Sequence, residues 1–297
     1  MTRREALAAT AAGVVMPGEG ALVPFGEHRI SRVIVGGNPV SGNSHWSRER
    51  SREMLDYFNS ANVLKLLRDC EAAGINTWQS RGDRHIRRLY HEYRLAGGRM
   101  NWIAQTASEF ASIPRNIEDC KDAGAIGIYH HGSKTDKLWK AGKIDEVAEM
   151  LKVIRDTGVR VGLGTHIPEV IDYAESEGWD VDFYMTCCYN LTRSPAEAAR
   201  VAGRAVKGEF FWEPDREEML KRVRQTAKQC LIFKVYGAGR RCGSMADKLA
   251  ALDQVAGAAK PADCIVVGMF PKHSEQVREN CALFSKALSS ASLRGRS

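Results

Sequence analysis

Val159-Arg160-Val161-Gly162-Leu163-Gly164-Thr165-His166-Ile167-Pro168 passes from a short apolar run to a polar turn and then to a proline that opens a helix. An apolar run that ends in Gly or a polar residue and leads into an amphipathic helical stretch recurs about eight times along the chain. Upstream of it lie Ser31-Arg32-Val33-Ile34-Val35-Gly36 and Ala125-Ile126-Gly127-Ile128-Tyr129-His130. Downstream lie Val181-Asp182-Phe183-Tyr184-Met185-Thr186, Cys230-Leu231-Ile232-Phe233-Lys234-Val235-Tyr236 and Cys264-Ile265-Val266-Val267-Gly268. Near-continuous apolar strands that alternate with amphipathic helices belong to parallel sheets covered on both faces. Eight such units predict a closed (β/α)8 TIM barrel, an α/β fold whose active sites lie at the C-terminal ends of the strands. Those ends carry His130, His131, His166, Cys187, Lys234 and Tyr236.

The chain has 297 residues, enough for one barrel with an N-terminal extension. No Gly/Ser-rich or Pro-rich linker divides it, so residues 28–290 are read as one barrel domain and 291–297 as a polar tail. A hydrophobic fraction of 44% and a charged fraction of 27% are those of an ordinary globular protein. The net charge of +7 is scattered, with no basic face interleaved with aromatics, which argues against a nucleic-acid partner and for a small-molecule substrate. A cationic excess does suit an anionic ligand such as a nucleotide phosphate. Of the 8 cysteines, Cys70, Cys120, Cys230, Cys264 and Cys281 occupy apolar positions of predicted elements and read as small core residues.

Further elements follow from periodicity. Strands are predicted at Ile75–Gln79 and Asn101–Gln105, and a helix at Ala61–Ala73 ended by Gly74. Ser41-Gly42-Asn43-Ser44-His45-Trp46 reads as a polar loop over part of the site. The aromatic run Phe210-Phe211-Trp212 reads as a core plug beneath a long loop rather than a substrate-covering lid. At the N-terminus, Arg3-Arg4 precedes an Ala-rich, weakly apolar stretch to Met16 that is too short to span a bilayer. Residues 1–27 are therefore expected to hold a twin-arginine export signal and an extension, which would send the folded protein to the periplasm. Without a working signal the protein would stay in the cytoplasm.

Several of these segments resemble the aldo-keto reductases, from roughly Ile30 to Leu288. Ala73-Gly74-Ile75-Asn76-Thr77-Trp78 is similar to the family's entry into its second strand, and Gly162 to Ile171 to its fifth-strand segment. Tyr189-Asn190-Leu191 follows the sixth strand, and Glu275-Gln276-Val277-Arg278-Glu279-Asn280 resembles the family's final-helix cofactor motif. The resemblance implies an NAD(P)-linked oxidoreductase acting on a carbonyl or a sugar-like alcohol. It implies a nucleotide held by Phe233, Gly237, Lys272, Gln276, Glu279 and Asn280, with Gln276 in place of the arginine usual for a 2′-phosphate, so that NADP and NAD both remain open. The family's catalytic tetrad of Asp, Tyr, Lys and His reads here as Gln79, Arg84, Gln105 and His130. Only His130 matches, and it would orient the substrate oxygen. Arg84 or His85 would stand in for the missing proton donor. Two glutamines lack the charge with which Lys and Asp lower a tyrosine's pKa.

Two other classes compete. His130, His166 and Cys187 stand at the ends of three successive predicted strands and are ligand types that suit zinc or another divalent transition metal. Such a site would imply a metal-dependent lyase or isomerase. Adjacent residues of a strand face opposite ways, so only one of His130/His131 and one of Cys187/Cys188 faces the lumen. Lys234 invites a covalent role, because a desolvated lysine is nucleophilic. A barrel that has lost three tetrad positions could also be a non-catalytic ligand-binding protein.

Overall fold

The computed structural model describes residues 22–294. The arginine pair and Ala-rich stretch at residues 3–16 lie outside them. Two short antiparallel strands come first, β1 (Leu22–Phe25) and β2 (His28–Ser31). The barrel then begins with β3 (Val33–Gly36), followed by α1 (Arg48–Tyr57), α2 (Ser60–Ala72), β4 (Thr77–Arg81), α3 (Arg84–Leu95), β5 (Asn101–Gln105), α4 (Ile113–Asp122) and β6 (Ala125–His130). The chain continues through α5 (Gly132–Lys140), α6 (Asp145–Asp156), β7 (Arg160–Thr165), α7 (Pro168–Ser176) and β8 (Phe183–Cys187). It closes with α8 (Pro195–Ala202), α9 (Pro214–Gln225), β9 (Gln229–Phe233), α10 (Met245–Ala256), β10 (Cys264–Gly268) and α11 (Gln276–Arg294). Strands β3 to β10 pair in parallel in sequence order, and β10 returns to β3, giving the expected (β/α)8 barrel. Among the described residues no helix is long and apolar enough to cross a membrane.

Two apolar layers result. The larger lies between the strands and the outer helices, where Trp78, Ile128, Leu163, Tyr184 and Ile232 meet Leu67, Tyr90, Val170 and Val223. The smaller fills the barrel interior with Ile34, Ile103, Tyr129, Phe183, Met185, Leu231 and Val266. The hairpin β1–β2 stoppers the N-terminal end of the barrel with Phe25, whose ring lies 5.1 Å from that of Phe183. Glycine makes room for this plug. A Cβ at Gly127 would come within 2.9 Å of the Phe25 ring, and one at Gly162 within 2.3 Å of Phe183. The opposite end is left open for chemistry.

The structure departs from the sequence reading in several places. The second barrel strand begins at Thr77 rather than Ile75. Ile75 still donates to the Cys70 carbonyl at 2.9 Å in the turn that ends α2, and Asn76 is used to bind the hairpin, accepting from Ser31 N at 2.7 Å. The polar loop Ser41–Trp46 stands over the site as read, but a helix that the sequence reading did not include follows it, α1, which Ser47 caps by accepting from Arg50 N. The Phe210-Phe211-Trp212 run is half-buried, and Phe211 alone of the three packs on the core, its ring 5.0 Å from that of Tyr189. Phe211 packs its ring 3.8 Å under the Arg240 guanidinium and covers the mouth of the barrel.

Candidate active site

Strand alternation decides which side chains reach the open end. On β6, Tyr129 shares the lumenal face with Gly127, so Ile128 and His130 turn outward and the next residue, His131, turns in. On β8, Phe183 and Met185 point inward and bring Cys187 with them, whereas Cys188 packs among the outer core. The lumenal mouth is thereby built from Gln79 and Arg81 of β4, Gln105 of β5, Tyr129 and His131, His166 just beyond β7, Cys187, and Phe233 and Lys234 at the end of β9.

Tyr129 is the centre of this group. Its phenol oxygen accepts from Gln79 Nε2 at 2.7 Å and from Gln105 Nε2 at 3.1 Å. With both amides donating to the oxygen, the phenol's own hydrogen is directed elsewhere. Burial raises the Tyr129 pKa despite the opposing hydrogen bonds of Gln105 and Gln79, so the group is a neutral O–H at ordinary pH.

A second cluster faces it. Asp136, in α5, lies fully buried with Oδ2 2.6 Å from His166 Nδ1 and Oδ1 accepting from the Thr165 hydroxyl at 2.5 Å. Burial alone would lower the His166 pKa. The Cys187 sulfur, to which the ring is hydrogen-bonded, and the Asp136 carboxylate outweigh it and raise the value to about 10. His131 behaves oppositely, lowered to about 4 by burial and by the nearby Arg81 and His166 charges. Its Nδ1 is buried with no hydrogen-bond partner.

Lys234 ends β9 with a left-handed backbone, φ 60°, uncommon for a residue with a Cβ. Burial lowers its amine to about 8, against the opposing charges of Cys187 and Glu209 and with the help of Arg240. Its neighbour Val235 is held from outside the barrel, because the fully buried Arg216 of α9 donates to the Val235 carbonyl at 2.8 Å.

Two cavities meet at this point. The larger, about 520 Å³, runs from Gln79 and Phe233 along the turn after β9 to Gln276 and Asn280 at the start of α11. Arg50, Lys248 and His273 line it as well. The smaller, about 190 Å³, is lined by Arg81, Gln105, Tyr129, His131 and His166. Asn38, Asn43, His45, Phe233 and Lys234 border both. Three loops roof the junction. Arg240 lies 5.0 Å over the Trp46 ring and donates to the His45 carbonyl at 3.0 Å, and His45 Nδ1 lies 2.7 Å from Glu209. Glu53 of α1 reaches Lys272 at 3.1 Å and His273 at 2.5 Å, and hydrogen bonds from His273 and Lys272 hold its carboxyl down to about 2.

The residues expected to act divide accordingly. Gln79 and Gln105 belong to the site, although they meet on Tyr129 rather than on each other. His130 does not belong. It faces the helices, with Nδ1 2.8 Å from the Thr135 hydroxyl, and burial lowers its pKa to about 4. Arg84 and His85 are exposed in the first turn of α3, where Arg84 lies 6.0 Å over Phe110, and neither lines a cavity. Of the expected nucleotide-binding residues, Phe233, Gln276 and Asn280 line the larger cavity, and Gly237 does not, although Tyr236 and Ala238 on either side of it do. Asn280 is already used by the protein, accepting from the Tyr236 hydroxyl at 2.7 Å. Glu279 and Lys272 are tied into ion pairs with Lys248 and Glu53. The trio His130, His166 and Cys187 does not converge, because β6 turns His130 outward. Among the described residues no three His, Cys, Asp or Glu side chains form a metal-binding group. Tyr129, Asp136 and Arg81 were not singled out as acting residues by sequence reasoning, and His131 entered only as the alternative to His130. The alternation that places Tyr129 beside Gly127 was the available signal.

No family model and no curated protein sequence matches the chain. Solved structures do. Aldo-keto reductase AKR11C1 from Bacillus halodurans is 12% identical with a TM-score of 0.56, over 91% of this chain and 95% of that one. A truncated 3-deoxy-D-arabino-heptulosonate 7-phosphate synthase from Thermotoga maritima is 11% identical with a TM-score of 0.52, over 93% and 92%. Glycerol dehydrogenase AKR11B4 from Gluconobacter oxydans is 14% identical with a TM-score of 0.46, over 92% and 76%. Likeness to a reductase and to a synthase at such identities carries the fold alone. The chain has the architecture of TIM-barrel enzymes, and the aldo-keto reductases are not singled out among them.

Proposed function

We propose that the protein is an NAD(P)-linked oxidoreductase acting on a small carbonyl or sugar-like alcohol, with Tyr129 as its proton donor and acceptor. The observation that carries this reading is the phenol of Tyr129, held by Gln79 and Gln105 where the two cavities adjoin. The larger cavity falls in the volume range of cofactor sites, and Arg50 and Lys248, paired with Glu53 and Glu279, could turn to the phosphates of an extended anionic nucleotide. Phe233 offers an aromatic face at its inner end, beside the smaller cavity. The self-paired Asn280 and Glu279 fit the far end less well, and would have to exchange Tyr236 and Lys248 for the ligand.

A nicotinamide nucleotide supplies hydride to a carbonyl carbon, or takes it from an alcohol. The chain's own part is to receive the substrate oxygen. In the direction of reduction the Tyr129 O–H donates to that oxygen, and the Gln79 and Gln105 amides hydrogen-bond the phenolate that remains. The His166 imidazolium adds positive potential around the developing alkoxide. The loops joined at Arg240, Trp46 and Phe211 exclude water.

The test is a titration of the purified protein with NADH and with NADPH, followed by nicotinamide fluorescence. Saturable binding of either is expected, weakened roughly tenfold by Phe233→Ala through loss of an aromatic face. No saturable binding of either nucleotide would sink the reading.

A further inference from the structure

Lys228, Lys234, Lys248 and Lys260 are the partly buried lysines among the described residues. Three of them donate to an oxygen: Lys228 to the Val181 carbonyl at 2.5 Å, Lys248 to Glu279 at 3.1 Å and Lys260 to Asp263 at 2.9 Å. The Lys234 ammonium has no hydrogen bond or ion pair, and the ring of Phe211 lies 6.0 Å from it. It borders both cavities, on a backbone bent into the left-handed region. A cation withdrawn from water and left without an acceptor is costly as structure, and strain of this kind gathers at functional sites.

We infer that Lys234 is an amine nucleophile that captures a small aldehyde or ketone in the smaller cavity as an imine. The nitrogen lone pair forms the new C–N bond, and the carbonyl π pair moves to oxygen. That oxygen leaves as water with two hydrogens from nitrogen, so no oxidant or reductant is consumed. The His166 imidazolium and the Tyr129 phenol line the same cavity and can pass the protons that this departure needs. A proton from the His166 imidazolium then turns the neutral imine into an iminium, which draws electrons from the neighbouring carbon, as aldol-type cleavage of a carbon–carbon bond requires. The amine is ready for this role because burial, with Arg240 beside it, lowers its pKa to about 8 against the opposing Cys187 and Glu209.

The test treats the full chain with dihydroxyacetone and sodium cyanoborohydride and maps the reduced adducts by peptide mass spectrometry. Lys234 is expected to label on the order of tenfold faster than the exposed Lys137 and Lys221, because more of it is free amine near neutral pH. Its labelling rate should climb with pH and level off above about 8. Labelling of Lys234 no faster than of those surface lysines would overturn the inference. So would Lys234→Met weakening nucleotide binding while the wild type forms no adduct, since the lysine would then serve a phosphate. An adduct without nucleotide binding removes the oxidoreductase reading and leaves this one standing, and the converse result does the reverse.

Discussion

At the scale of single residues, facing matters more than identity. His130 and His131 are equally good candidates by type, and one position of strand alternation separates an outward histidine bonded to Thr135 from an inward one that lines the smaller cavity. The sequence does carry that distinction, in the small Gly127 that shares a face with Tyr129. It does not carry Asp136, which reaches His166 from a helix across β7 and has no spacing signature. The His166 ring gives a direct check on this cluster. Its raised pKa depends on the opposed Cys187 and Asp136, so Cys187→Ala should bring its titration, read by NMR of the imidazole nitrogens, down from about 10 toward the ordinary range. The stability that comes from this charge is fully present below about 6.5 and is lost as pH rises through about 10. An unmoved titration in the variant would mean that the sulfur does not act on the ring.

At the scale of elements, the end of β9 shows how local strain is supported. The sequence reading runs that strand on to Tyr236, because its apolar pattern continues. The strand stops at Phe233, where Lys234 takes a positive φ. What maintains the turn is remote in sequence: Arg216 spans from α9 to the Val235 and Ala251 carbonyls and to the Gln254 side chain. An isolated arginine in a charged helix gives no hint of this, and α1 was equally hidden within a stretch of polar residues. Arg216→Met should lower the unfolding free energy by at least about 2 kcal/mol, since each buried polar group left unpaired costs roughly 1–3 kcal/mol. Denaturant unfolding measures it, and a change of a few tenths would show that the guanidinium is not needed there.

For the whole molecule, the barrel was legible because eight repeats of one pattern, an apolar run followed by an amphipathic helical stretch, reinforce each other. The hairpin that seals the base was not, since Leu22–Ser31 is too short to carry a period of its own and is defined by Phe25 meeting Phe183. The candidate site was legible in its location and in part of its membership. The expected tetrad positions Gln79 and Gln105 do meet at one phenol, but that phenol comes from a third strand. The central claim is that this phenol moves the proton in a nucleotide-linked carbonyl reaction. The most direct test compares wild type and Tyr129→Phe for oxidation of reduced nicotinamide nucleotide driven by short hydroxyaldehydes and hydroxyketones. The account predicts turnover by the wild type and a fall in kcat of about 10²–10⁴-fold in the variant, with nucleotide affinity unchanged. Equal turnover in the two proteins, or none by the wild type with any such carbonyl, would contradict it.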